Sequence, residues 1–395
     1  MYHDERWLMP DGIDELLPPV AEQFERLRRD LLDGYAAWGY TLVVPPLVEF
    51  IESLLVGAAH DLALQTFVLT DQLSGRTLGV RADITPQVAR IDAHRLRGAG
   101  IARLCYLGSV LRTKGDGFGG SRSPHQTGVE LYGYSGIEGD VEVMELMVAT
   151  LRTARLEAVH LDLGHVGIFR ALTAKAALDD DAQTALFDAL QRKAKDEVQA
   201  VLDQTSLPLA VARSLEALVD LHGDPSLLAR AKASLLDDPE IALALDTLER
   251  TVEALQRRLP DVSLTVDLGE VRGYRYHTGL LFAAYAAGQG QEVARGGRYD
   301  GIGRAFGRAR PATGFSTDLK TLLTLAPAPT PGATGIAVAW SDDPALQAVV
   351  ADLRRQGERV VWQLPGAAED LRSLGCDRRL VISAGQWRVE AAFDG

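Results

Sequence analysis

A chain of 395 residues, 47% hydrophobic and 24% charged, has apolar material for two or three domains and a large core. Its 54 acidic residues outnumber 41 basic ones, and the net charge of −13 opposes general attraction to nucleic acid or to anionic membrane. With two distant cysteines, a polar N-terminal stretch (MYHDERWLMPDG) and no apolar run of membrane-spanning length, the expected setting is a reducing cytoplasm, without disulfides, zinc or membrane.

In chain order, Val20, Phe24, Leu27, Leu31 and Tyr35 recur at helical spacing, predicting a helix from Val20 to Trp38 that Gly39 stops. YTLVVPPLVEF then reads as a strand broken at Pro45 and Pro46, so it lies at an edge or bends. Residues 66–81 predict a hairpin around Ser74-Gly75, and 102–112 with 125–134 predict a second strand pair. Cys105 sits in the apolar run RLCYLG, as a buried free thiol would. Between the paired strands, TKGDGFGGSRSP is too rich in Gly and Ser for regular structure and reads as a ligand flap.

A helix follows at 138–156. From about 166 to 258 Ala, Leu, Asp and Lys dominate with helical periodicity, which reads as a helical insertion. Strands resume at SLTVDLGEV and run through YHTGLLFAAYA to a GGRYD turn. GFSTDLKTLL (314–323) then leaves a strand and enters a helix at Asp318. A Pro/Ala/Gly linker (326–333) precedes a small β-α-β module at 334–395. The sum is an α+β fold.

The polar residues on the strands carry the chemistry. VRADITPQVAR (80–90) places Arg81, Asp83 and Thr85 at alternate positions, which predicts one sheet face. HQTGVELYG contributes Gln126 and Glu130, and EVRGYRYHTG contributes Arg272, Tyr276 and His277. Singly, each is accounted for as a hydrogen-bonded strand residue at a solvated face. Around one Gly-rich flap they describe an amino-acid pocket: acids for an ammonium or imidazole, and Arg112 or Arg272 for a carboxylate.

The segments PPLVE, VRADITPQVAR, RLCYLGSVLRTK…HQTGVELYG, VRGYRYHTG and GGRYDG…GFSTDLKTLL resemble, in order, the signature segments of class II histidyl-tRNA synthetases over roughly residues 5–325. The resemblance implies an antiparallel sheet flanked by helices, and a self-dimer formed near the first motif, whose proline Pro46 matches. It also implies α-amino contacts at Asp83 (usually Glu), Thr85 and Gln126, and imidazole recognition by Glu130. Arg112 matches the motif 2 arginine, Arg272 the arginine of the histidine-specific segment, and Tyr299 the tyrosine of the Gly-Gly-Arg-Tyr turn. The family's second tyrosine after that arginine is replaced, giving Tyr276 and His277.

The ATP side departs from the family. Lys114 stands where the synthetases carry an acid, and Pro124 where they carry the aromatic residue that stacks on adenine. Asp318 replaces the first glycine of motif 3, and Thr321 its arginine. Lys320 is no substitute, because adjacent helix residues point about 100° apart and lysine lacks a planar guanidinium. Only about 60 residues follow the linker, fewer than the synthetases' anticodon-binding domain contains.

A synthetase-like chain that keeps the histidine contacts and lacks ATP and anticodon parts resembles the regulatory subunits of ATP phosphoribosyltransferase. That resemblance implies a non-catalytic partner of a short catalytic subunit in a hetero-octamer. The chain would be needed for activity and would take part in feedback inhibition by L-histidine, with no cofactor, no metal and no tRNA. A working histidine-adenylating enzyme and a stand-alone histidine-binding protein are the competing expectations.

Overall fold

The computed structural model describes residues 7–56, 60–115, 120–176, 178–205, 207–271, 273, 276–327, 335–367, 369–383 and 385–392. The chain divides into two units, Met1–Ala326 and Pro327–Gly395.

The strands of the first unit are β1 (Thr41–Leu42), β2 (Val48–Phe50), β3 (Phe67–Thr70), β4 (Thr77–Val80), β5 (Ala102–Ser109), β6 (His125–Tyr132), β7 (Val159–His165), β8 (His222–Gly223), β9 (Ser263–Asp267), β10 (Leu280–Ala286), β11 (Ala294–Arg298) and β12 (Ala312–Asp318). Nine of them form one sheet in the order β1-β5-β6-β12-β11-β10-β7-β9-β8, and β2-β4-β3 form a second. Only the β1–β5 and β7–β9 pairings are parallel. With helices packed on the sheet the unit is α+β.

The first helix is Val20–Ala37, and its spacing buries Leu27, Leu31 and Tyr35. Gly39, at φ +82°, supplies the left-handed turn that ends it. Pro45 and Pro46 separate β1 from β2, and each of these strands lies at the edge of its sheet, where a missing donor does least harm. Arg81 ties the two sheets together, donating from Nη1 to the Pro45 carbonyl and from Nε to that of Ser109.

Two expectations about strands fail. Arg81, Asp83 and Thr85 do not alternate on a sheet face, because β4 ends at Val80 and a helix runs from Thr85 to Arg90. The Asp83 carboxylate accepts the Thr85 N–H at 3.1 Å, and Pro86 sits in the first turn, so local helix-start chemistry outweighs the alternation. Tyr276 and His277 likewise lie in a turn before β10, which starts only at Leu280.

β7 (VHLDLGH) was not expected, although Val159, Leu161 and Leu163 alternate with His160 and Asp162. It pairs with β10 on one side and β9 on the other, and both partners arrive more than 95 residues later in the chain. Between them, among the described residues, come six helices: Val166–Ala176, Asp180–Gln191, Lys195–Asp203, Leu209–Ala217, Leu227–Ser234 and Pro239–Arg258. Their buried faces (Phe169, Leu172, Leu215, Leu248) share one apolar cluster with Leu161, Leu163 and Phe282 of the sheet. The helical stretch and the sheet therefore exclude water together. No described helix is long and apolar enough to cross a membrane.

The second unit has its own small core. β13 (Gly335–Ala339), the helix Pro344–Arg355, β14 (Val360–Gln363), β15 (Cys376–Ser383) and β16 (Gln386–Ala391) form a sheet in the order β14-β13-β15-β16. β14 and β15 run parallel to β13, as the β-α-β pattern requires, and β16 turns back antiparallel. Ile336, Val338, Leu346, Val350, Val360 and Leu380 close it.

Candidate ligand-binding site

The site is built on one row of the large sheet. Glu130 on β6 faces Gly314 on β12, Gly314 faces Gly297 on β11, and Gly297 faces Leu281 on β10. Two glycines in adjacent strands leave the sheet bare beside Glu130. A Cβ at Gly314 would fall on Glu130 Oε2 and on the Tyr299 hydroxyl, and one at Gly297 would lie 2.8 Å from His277 Cδ2. The row opens into a cavity of 350 Å³ whose wall includes Asp83, Thr85, Glu130, Tyr276, His277 and Tyr299. Six of the nine expected contacts are thus brought together.

Around the cavity, polar atoms are arranged without partners. Glu130 is 1% exposed and its Oε2 has no hydrogen-bond partner; the same holds for the hydroxyls of Tyr276 and Tyr299 and for His277 Nδ1. The rings of Tyr276 and Tyr299 stack at 5.2 Å between centroids, with His277 edge-on to both. Burial pushes the Glu130 carboxyl well above the usual range, and the Asp83 charge adds to this. The nearby Thr85 and Tyr106 hydroxyls pull it the other way. Burial, reinforced by Arg295, drives His277 down to about 3, so this imidazole is neutral. Unpartnered buried donors and acceptors cost free energy, and a polar ligand removes that cost.

Asp83 and Gln126 hold each other. Gln126 Nε2 donates to Asp83 Oδ1 at 2.7 Å, and Gln126 Oε1 accepts the Ile84 N–H at 2.9 Å. This network, with the Thr85–Tyr106 hydroxyl contact at 3.1 Å, fixes the rim of the cavity.

A second, larger compartment of 750 Å³ adjoins the first and is lined by Arg112, Pro124, Gln126, Asp318 and Thr321. Asp162, Glu270, Glu292, Arg295 and Ser316 line both. Lys114 is exposed and lines neither, and Arg272 lies outside the described residues. Arg112 Nε donates to the Ala82 carbonyl at 3.3 Å. The Asp318 carboxylate accepts from the N–H groups of His125, Lys320 and Thr321 and from the Thr321 hydroxyl, so it serves as a helix cap. Lys320 turns away to Asp14 Oδ1 at 3.0 Å and Ser123 Oγ at 3.2 Å.

Asp162 escaped the sequence reading. It sits on β7, where its Oδ1 accepts the Thr265 hydroxyl at 2.6 Å, and Thr265 Oγ1 lies 2.8 Å from His160 Nε2. The alternation of His160 and Asp162 in VHLDLGH was the available signal, and it shows only once β9 is known to lie alongside.

Comparison with known proteins supplies the family. A profile for histidyl-tRNA synthetase matches residues 12–322, and one for the ATP phosphoribosyltransferase subunit HisZ C-terminal domain matches residues 333–390. An ATP phosphoribosyltransferase regulatory subunit of Alkalilimnicola ehrlichii is 54% identical over 95% of each chain. One of Thioalkalivibrio sulfidiphilus is 54% identical over 98% of this chain and 99% of its own. Among solved structures, an ATP phosphoribosyltransferase regulatory subunit/histidyl-tRNA synthetase from Bacillus halodurans superposes with a TM-score of 0.81 at 27% identity, covering 92% of this chain and 94% of the other. A histidyl-tRNA synthetase from Nostoc shares the fold at 17% identity and a TM-score of 0.78, covering 98% and 97%.

Proposed function

The chain belongs to the ATP phosphoribosyltransferase regulatory subunits, built on the class II histidyl-tRNA synthetase fold, and from that membership we propose that it is a non-catalytic histidine sensor. It pairs with a short catalytic subunit in a hetero-octamer in the cytoplasm, is required for that subunit's activity, and carries feedback inhibition by L-histidine at the first step of histidine biosynthesis.

The observation that carries this reading is the contrast between the two compartments. The inner cavity presents a buried acid and aromatic hydroxyls without partners, as an amino acid with a polar ring requires. In the outer one the strand–helix junction holds a capping carboxylate, and Pro124 and Thr321 occupy the positions that resemble the adenine-stacking ones. Asp318 would repel a triphosphate, and neither Pro124 nor Thr321 offers a planar group to a base.

Histidine would lie with its ring at Glu130, Tyr276, His277 and Tyr299 and its amino group toward Asp83, Thr85 and Gln126. Arg272 and Arg112 are the candidates for its carboxylate. Residues 1–325 would carry this site, with 166–258 as a helical insertion, and 334–395 would be a reduced counterpart of an anticodon-binding module that does not bind tRNA. By linkage, histidine would shift the complex toward whichever conformation binds it better, by the difference in affinity alone.

The test is co-expression with the short catalytic subunit. Phosphoribosyltransferase activity should require this chain and fall on addition of L-histidine, and Glu130→Ala should relieve the inhibition. Arg112 at the wall of the outer compartment favours the adenylating alternative. Histidine-dependent exchange of pyrophosphate into ATP would establish that alternative and sink the present one. A catalytic subunit indifferent to this chain would leave a stand-alone binding protein.

A further inference from the structure

Glu130 is a buried carboxyl without a counter-ion. It is 1% exposed, and no described cation bonds to it. The groups that face it are acidic, neutral or aromatic. Asp83 and Thr85 face it from the segment after β4, Tyr106 from β5 and Tyr132 from its own strand. Tyr276 comes from the turn before β10 and Tyr299 from the end of β11, while β12 offers only Gly314. Arg295 also lines the cavity, but its exposed side chain pairs with Glu292 at 3.4 Å.

An ionised Glu130 in this setting would be an uncompensated charge close to a second acid, and burial raises its carboxyl well above the usual range, toward the protonated form. The same surroundings favour a cation placed beside it. Asp83 contributes negative charge, and the stacked faces of Tyr276 and Tyr299 present aromatic quadrupoles. The Tyr299 hydroxyl, which has no hydrogen-bond partner and lies with Glu130 Oε2 over Gly314, is placed to donate to the carboxylate once it forms.

Resting on the histidine reading of this cavity, we propose that the ring of the bound amino acid takes the Glu130 proton and is held as an imidazolium against the Glu130 carboxylate. The O–H bond of Glu130 breaks and an N–H bond forms on the ring, so one proton is passed within the complex and none is exchanged with solvent near neutral pH. The cavity thereby selects a ring basic enough to accept that proton. A neutral ring of similar shape leaves Glu130 protonated and gains only packing.

Two measurements on the full chain at about pH 7.5, where the free imidazole of pKa ~6.5 is mostly neutral, test this. In the complex with ring ¹⁵N-labelled L-histidine, both ring nitrogens should carry protons. Calorimetric titration in phosphate and in Tris should give the same binding enthalpy, showing no net proton exchange. Glu130→Gln should lower affinity at least tenfold and return any residual bound ring to a neutral tautomer. A bare ring nitrogen in the wild-type complex, or uptake of about one proton from buffer, overturns the proposal while leaving histidine binding intact. A Glu130→Gln complex that still holds an imidazolium overturns it as well. A wild-type chain that does not bind L-histidine overturns the histidine reading itself.

Discussion

Gly314 is the position on which the cavity most depends. Any side chain there would strike Glu130 Oε2, the Tyr299 hydroxyl and the Val129 carbonyl, and the last is backbone that cannot step aside. Gly314→Ala should therefore abolish L-histidine binding and lower the thermal midpoint, as titration and a melting curve would show. Glu130 makes a second prediction, with a definite sign. Its carboxyl titrates higher in the fold than in the unfolded chain, so its contribution to stability is present below about pH 4.3 and fades as pH rises toward the folded value. Ligand-free Glu130→Gln should match wild type near pH 4 and melt higher than wild type near pH 8. His165 and His277 act on the acid side, since burial lowers them to about 4 and about 3. Their contribution is present above about pH 6.5 and is lost as pH falls through those values. Gly314 and Glu130 were legible only as members of motifs, because nothing in one strand's sequence says which residue will face it across the ladder.

At the scale of elements, Asp318 connects a strand, a helix and the neighbouring strand β6. It ends β12, caps Leu319–Leu325 and accepts the His125 N–H at 2.7 Å. Asp318→Ala should cost about 1–2 kcal/mol in a denaturant titration, the range of a lost N-cap, and should leave L-histidine affinity unchanged, since Asp318 lines only the outer compartment. The elements that were readable are those whose signals are local: the helix Val20–Ala37, the proline break between β1 and β2, the β3–β4 hairpin, and the β5–β6 pair. Residues 80–90 misled because alternation is only a period-two pattern, while Asp83 and Pro86 carry specific helix-start chemistry. β7 carries only a short alternation, and its place in the sheet was not in the sequence. A strand buried between two partners is specified by contacts that close over about a hundred intervening residues.

For the whole molecule, the net charge of −13 opposes general attraction to nucleic acid. The self-dimer implied by the family resemblance would need an exposed apolar surface. Leu42, Val44, Leu47, Val68, Leu69 and Leu73 are exposed around β1 and the small sheet, next to a groove lined by Pro45, Pro46 and Phe50. A second copy placed there would remove apolar area from water. Sedimentation should show a dimer for wild type and a monomer for the Val44→Glu/Leu47→Glu double variant; a monomeric wild type would refute the assignment.

The sequence by itself determined the fold class, the locally signalled elements and the family, because turn chemistry, periodicity and ordered motifs are written in contiguous residues. The tertiary structure decided which of the motif residues meet. It gathered Asp83, Thr85, Glu130, Tyr276, His277 and Tyr299 around one cavity, assigned Arg112, Gln126, Pro124, Asp318 and Thr321 to the neighbouring one, and added Asp162 from β7. The physical reason is the ladder itself. Which side chains share a row, and whether a buried carboxyl finds a counter-ion there, depends on register between strands far apart in the chain.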